Sequence, residues 1–227
     1  RSSTTLTISD LFVIAEQLGC VWKLEKLCRN KALKAAVEKP EKVKLFLNVV
    51  GNIIQDKAFI QGFTNRKAMK AGVPASDIVF EITERSDIEN YQILQQIMKH
   101  YADQGYEIAL DDVGAGHSGL NRVVNTTPDY LKADIELVRD IHKYKKKEIM
   151  MKLLLDYCNA TGAILIAEGI ETAQELECLH SLGVHYGQGF FLGKPERAFG
   201  NISAESEEIL ERLNGRKNIL FLDISGK

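Results

Sequence analysis

The sequence predicts an α/β protein of the TIM-like (β/α) barrel type, and three observations carry that prediction. Strand-like and helix-like stretches alternate through the middle of the chain, in six units at steps of about 20 to 35 residues. The strand-like stretches are near-continuously apolar instead of alternating, as expected where both faces are covered. Five of them end in acidic, amide or lysine residues: Leu45-Phe46-Leu47-Asn48, Val79-Phe80-Glu81-Ile82-Thr83-Glu84, Ile108-Ala109-Leu110-Asp111-Asp112, Tyr130-Leu131-Lys132-Ala133-Asp134 and Leu165-Ile166-Ala167-Glu168-Gly169. A carboxylate at the end of a buried strand is costly unless it meets a cation. Repeated strand after strand, the pattern implies one metal site at the C-terminal rim of a strand ring.

The elements follow in order. Thr7-Ile8-Ser9-Asp10 caps a helix through Leu11, Ile14, Ala15 and Leu18, and Gly19 ends it. A second helix runs from about Trp22 to Val37, with Leu24, Leu27, Ala32, Leu33 and Ala36 on or near one face. Strands are expected over 43–50, 77–83, 107–112, 129–132, 163–168 and 184–189, and helices over 59–71, 90–101, 148–161 and 173–183. Gly114-Ala115-Gly116-His117-Ser118-Gly119 is a glycine-rich loop, and Lys143 to Lys147 is a solvated helix start. Past Pro195 the text changes. A capped helix from Ser203 to about Gly215 and a lone strand over 218–224 suggest that 1–198 form the barrel and 199–227 a helix-strand connector to another domain.

Composition narrows the partners. A net charge of -2 argues against coating a DNA or RNA polymer. Cys20, Cys28, Cys158 and Cys178 have no CxxC spacing, so they read as reduced thiols of a cytoplasmic protein. No apolar run reaches the roughly 18 residues of a membrane span, so a membrane is expected only through segments outside this chain. His100, His117, His142, His180 and His185 lack ligand-like spacing.

Taken as a set, these segments resemble the EAL-domain phosphodiesterases, which hydrolyse cyclic di-GMP to linear pGpG. Asn48 matches a strand-end asparagine, Glu81-Ile82-Thr83-Glu84 the ExTE motif, and Asp111-Asp112-Val113-Gly114-Ala115-Gly116 the DDFGTG motif. Lys132-Ala133-Asp134 matches KxD, Ala167-Glu168-Gly169-Ile170-Glu171 matches AEGxE, and Gln188-Gly189-Phe190 matches QGY/F. A lone KxD or QGF carries nothing; six motifs in family order, over about residues 6–196, are specific.

The resemblance implies a two-metal site for Mg²⁺ or Mn²⁺, hard cations that take oxygen donors. By this analogy Asn48, Glu81, Asp111, Asp112 and Glu168 are the metal ligands, with Asp111 bridging. Adjacent aspartates normally face opposite sides of a strand, but at a strand end the pleat breaks and both can turn to one site. Lys132, Glu171 and Gln188 are carried over as catalytic, Gln188 also contacting substrate along with Arg1 and Asp134. Glu84 steadies the loop after Asp112, through which the family resemblance implies a homodimer.

The chain also departs from the family. The Glu-Ala-Leu motif itself is absent, which reads as an N-terminal strand region missing or truncated, with Arg1 as the arginine that follows it. Val113, Ala115 and Gly119 replace the usual Phe, Thr and Ser of the loop. The implied function is metal-dependent hydrolysis of cyclic di-GMP in bacterial signalling, as a domain of a longer protein. The rival is a receptor that binds the nucleotide without cutting it. An enolase-like barrel would show a KxK strand and a capping domain, and a glycerophosphodiesterase-like barrel would show strand-end histidines; neither pattern is present.

Overall fold

The computed structural model describes residues 6–41, 43–50, 53–82, 91–114, 119–196 and 199–214. The predicted strand over 218–224 lies outside them. Helix α1 (Ile8–Gln17) starts on a reciprocal cap: the Thr7 hydroxyl accepts the Asp10 N–H at 3.1 Å, and the Asp10 carboxylate accepts the Thr7 N–H at 2.8 Å. Such a cap contributes about 1 kcal/mol. Of the four apolar residues that mark α1 in the sequence, Ala15 is buried, and Leu11, Ile14 and Leu18 are exposed. Helix α2 (Val21–Ala35) corrects the sequence reading more instructively. Its buried stripe is Trp22, Glu25, Arg29 and Leu33, whereas Leu27 is 52% exposed. The helix is rotated so that an ion pair, and not the leucine, faces the interior.

From there the chain alternates. Strand β1 (Leu45–Val49) leads through α3 (Phe63–Ala71) to β2 (Ile78–Ile82), and α4 (Tyr91–Ala102) leads to β3 (Glu107–Val113). Next come α5 (Gly119–Asn125), β4 (Tyr130–Ala133), the single turn α6 (Ile135–Val138), α7 (Lys145–Thr161) and β5 (Ile164–Ala167). Helix α8 (Ala173–Leu182), β6 (Tyr186–Gly187) and α9 (Ala204–Asn214) complete it. The expected helix at 59–71 begins only at Phe63, behind Gly62 at φ 69°. Helices α5 and α6 had no counterpart in the sequence reading, being too short to show a period.

The strands form one six-stranded sheet in sequential order, and every neighbouring pair is parallel. This is a TIM-like α/β fold, with each helix returning the chain for the next parallel strand. Two apolar layers follow from the period of two along each strand. Leu47, Phe80, Ile82, Leu110, Leu131 and Leu165 face outward and pack with Leu94, Ile97, Met151, Leu154, Leu176 and Leu179 of the helices. Phe80 is fully buried against Tyr101 and Tyr106, with ring centroids 4.0 and 4.9 Å away. Burial of such a side chain stabilises by roughly 1.5–3 kcal/mol.

Facing the other way, Val79, Ala109, Tyr130 and Ile166 form a separate buried cluster with Phe46, Ile164 and Tyr186 against it. The rings of Phe46 and Tyr130 lie 5.4 Å apart although their strands are three positions apart in the sheet. On a flat sheet that separation would be about 14 Å. The sheet is therefore curled, and this second cluster is its concave interior. Helix α9 packs beside α8, burying Leu210, and Ser203 ties its start to the preceding turn through the Phe191 carbonyl at 2.8 Å. No helix among the described residues is long and apolar enough to cross a membrane.

Candidate metal centre

The concave apolar cluster fixes the place of the polar residues by simple counting. Two residues beyond Phe46, Val79, Ala109, Tyr130, Ile166 and Tyr186 stand Asn48, Glu81, Asp111, Lys132, Glu168 and Gln188. A step of two keeps the same face of a strand, so the polar set forms the next layer toward the C-terminal ends. The layer is not level. Asn48 pairs in register with Glu81, but Glu81 pairs with Ala109, and Lys132 with Ile166. A curled, tilted sheet has this stagger. The long Lys132 side chain bridges it.

Lys132 is buried at the centre of three carboxylates. Its Nζ lies 2.5 Å from Glu81 Oε1, 2.6 Å from Glu168 Oε1 and 3.1 Å from Asp111 Oδ1. Burial opposes its charge, yet the carboxylates of Glu81, Asp111 and Glu168 outweigh that and raise its pKa above the ordinary lysine value. Glu168 is pushed up to about 8: burial is the main cause, Asp111 adds to it, and Lys132 pulls the other way.

Strand β3 loses register between Leu110 and Val113, and Asp112 adopts φ 57°, a left-handed conformation that aspartate tolerates better than most residues. The irregularity brings neighbouring aspartates to one side. One carboxylate oxygen each from Asp111, Asp112 and Glu168 lies within 4.8 Å of the others. Holding a non-glycine residue there costs on the order of 1–3 kcal/mol. With Glu81, four carboxylates gather around the Lys132 ammonium. A partly buried excess of negative charge is unfavourable unless protons or cations neutralise it. The all-oxygen donor set fits a hard divalent ion such as Mg²⁺ or Mn²⁺.

Other expected site residues sit elsewhere in the hydrogen-bond pattern. Asn48, one residue before the end of β1, is exposed and lies beside Glu81 in the ladder. The Asp134 carboxylate caps α6, accepting the Glu136 N–H at 2.7 Å. The Glu171 side chain is half-exposed and 4.0 Å from Arg139, away from the Lys132 contacts. Gln188 continues the β5–β6 pairing through its backbone, donating to Ala167 O at 2.8 Å and accepting from Ile170 N at 3.0 Å. Arg1, Glu84 and the loop over 115–118 lie outside the described residues. Gly189, inside the expected QGF motif, has a sharp physical reason. A Cβ there would lie 2.2 Å from both the N and O of Ile170, so only glycine lets these two backbones meet.

Two buried glutamates escaped the sequence reading. Glu175 of α8 accepts from the N–H groups of Asp140 at 2.8 Å, Glu171 at 2.9 Å and Thr172 at 3.0 Å, bracing the loop after Glu168. Glu25 of α2 accepts the Val50 N–H at 2.7 Å and pairs with Arg29. Arg29 also reaches Thr64 Oγ1 at 3.1 Å and the Tyr101 hydroxyl at 3.0 Å. The Glu–Arg spacing of four, in line with Trp22 and Leu33, was the available signal.

The chain belongs to the EAL domain family, whose model matches residues 2–195. Among curated relatives, it is similar to the cyclic di-GMP phosphodiesterase PdeA of Borreliella burgdorferi, 26% identical over 83% of this chain and 28% of that protein. It is also similar to the cyclic di-GMP phosphodiesterase PdeB of Shewanella oneidensis, 25% identical over 66% of this chain. The chain spans only 17% and 28% of the length of these two relatives. Among solved structures, the manganese and cyclic di-GMP complex of Klebsiella pneumoniae BlrP1 at pH 9.0 matches with a TM-score of 0.78 at 29% identity, over 89% of this chain and 52% of that one. A standalone EAL protein of Vibrio cholerae, bound to cyclic di-GMP, matches with a TM-score of 0.74 at 28% identity, over 82% of this chain and 78% of that one.

Proposed function

We propose that this chain is a metal-dependent cyclic di-GMP phosphodiesterase domain that opens one 3′–5′ phosphodiester of the ring to give linear pGpG. The observation that carries the reading is the convergence of Asp111, Asp112 and Glu168 oxygens within 4.8 Å, beside the Lys132 ammonium. The names of the relatives, and the cyclic di-GMP held by the solved EAL structures, support the substrate.

In this reading Asn48, Glu81, Asp111, Asp112 and Glu168 hold Mg²⁺ or Mn²⁺. When bound, such ions lower the pKa of water and neutralise charge developing on the phosphate. Lys132 stays protonated, and its ammonium, held by Glu81, Asp111 and Glu168, puts positive charge beside the phosphate and the attacking water. Its burial among carboxylates keeps the ammonium in place without ordering at the moment of reaction. Gln188 orients water or phosphate, Arg1 and Asp134 contact the nucleotide, and Glu171 and Glu84 steady the rim loops.

A homodimer and a cytoplasmic location belong to the same reading. Val124 on α5 and Ile149 and Leu153 on α7 are exposed apolar side chains. The Tyr157 hydroxyl of α7 donates to Val123 O at 3.0 Å, which makes these helices neighbours on the side where the reading brings a second copy. The test is hydrolysis of cyclic di-GMP in Mn²⁺, with this chain and with one extended upstream of Arg1. Release of pGpG, lost in Glu81→Ala, supports the enzyme. Nucleotide binding that survives chelation, with no turnover in either form, replaces it with the receptor.

A further inference from the structure

We propose that Glu25 is a positioning residue for the metal centre, acting through the backbone of β1 on Asn48. The proposal rests on the reading of Asn48 as a ligand. The ladder between β1 and β2 ends at Val49 and Ile82, so the next N–H, that of Val50, lies past the last paired residue. Glu25, 25 positions before Val50 in the sequence, supplies the acceptor at 2.7 Å from helix α2. Val50 is two residues beyond Asn48. The carboxylate thus fixes the direction in which the chain leaves β1, and with it the last turn of backbone that aims Asn48 toward Glu81.

The acceptor is itself held rigidly. Its other oxygen meets Arg29, whose guanidinium is tied to Thr64 and Tyr101 and lies 5.2 Å from the Trp22 ring and 5.0 Å from the Phe80 ring. Glu25 is 2% exposed and Arg29 3%, so neither is available to a ligand from solution. A buried ion pair is not needed to fill this volume, since well-packed apolar residues of similar size serve stability equally well or better. What apolar residues cannot do is accept the Val50 N–H. That is the specific service of Glu25, and groups that orient metal ligands affect affinity by about 10–100-fold.

Two variants test the proposal against a purely structural role. Glu25→Met with Arg29→Met replaces the pair by apolar volume and leaves Val50 without its acceptor. Glu25→Gln keeps the shape but leaves one carbonyl oxygen for both Val50 and Arg29. Mn²⁺ affinity is read by calorimetry at a temperature where each variant is folded by circular dichroism, with Asn48→Ala as the reference. The expected result is an affinity loss of about 10-fold or more in the double variant and a smaller loss in Glu25→Gln. Combined with Asn48→Ala, either change should add nothing further, because both act through the same ligand. Parent-like Mn²⁺ affinity in the folded variants overturns the positioning role. If the double variant does not fold, Glu25→Gln decides alone: parent-like affinity overturns the proposal and a loss absent from the Asn48→Ala background upholds it. Unchanged affinity in Asn48→Ala itself would instead remove the ligand reading, and the proposal with it.

Discussion

Two buried cations in this molecule stand in opposite kinds of surroundings. Arg29 has one carboxylate, a hydroxyl from Thr64, another from Tyr101 and the faces of Trp22, Phe80 and Tyr101. Its charge is balanced within the fold. Burial nevertheless pushes the Glu25 carboxyl up, with Arg29 and the Val50 N–H opposing. Lys132 has three carboxylates in direct contact and a fourth, Asp112, beside two of them. Its surroundings are crowded with carboxylates. A balanced cluster is complete when the chain folds, whereas a crowd of carboxylates is relieved by protons or by cations from outside. The difference separates a structural ion pair from a site without any appeal to kinship.

The comparison is sharpest under substitution. Lys132→Ala should reduce cyclic di-GMP hydrolysis by up to about 10⁴-fold, or roughly 5.5 kcal/mol, measured as pGpG release at saturating Mn²⁺. A retained rate would show that Lys132 is only a counter-ion. Arg29→Met should destabilise by about 3–5 kcal/mol in urea titration, because it strands the buried Glu25. Little change would dissolve the contrast from the other side.

Asp111→Asn is expected to act in opposite directions on the two properties. It should abolish Mn²⁺-dependent turnover while raising metal-free stability by about 1 kcal/mol, since it removes one of several mutually repelling carboxylates. A loss of metal-free stability would mean that the pairing with Lys132 outweighs the repulsion. The smallest effect concerns Glu175. Burial disfavours its charge, but the N–H groups of Asp140, Glu171 and Thr172 win, and its pKa falls below 4.5. The folded protein therefore binds fewer protons than the unfolded chain in that range. This contribution is fully present above pH 4.5 and is lost as pH falls through the lower folded value. Glu175→Gln should flatten that part of the stability profile, read by urea titration across the acid range.

The period of two made the strands and the polar layer legible, because burial on both faces leaves apolar runs whose polar ends stand out. Glu81, Asp111, Lys132 and Glu168 could be read that way as candidates. The means by which neighbouring Asp111 and Asp112 share a side was legible only in outline; the loss of register after Leu110 and φ 57° at Asp112 are backbone facts. Leu27 lies on or near the apolar face that the α2 sequence suggests, yet it is exposed. On α2 the inward face instead carries charges that satisfy one another and grip a distant N–H. Glu175 was hidden for the same reason: its partners are backbone groups, which leave no residue-type signature.

The apolar plug beneath the polar layer has a consequence for traffic. Phe46, Val79, Ala109, Tyr130 and Ile166 close the floor, and at the far end the Tyr130 hydroxyl is anchored to Glu107, which in turn holds Lys44. Among the described residues this apolar layer separates the polar cluster from the N-terminal ends of the strands. On the proposed reading metal and product both use the strand-end side, so whatever crowds that side slows the exchange of the two together.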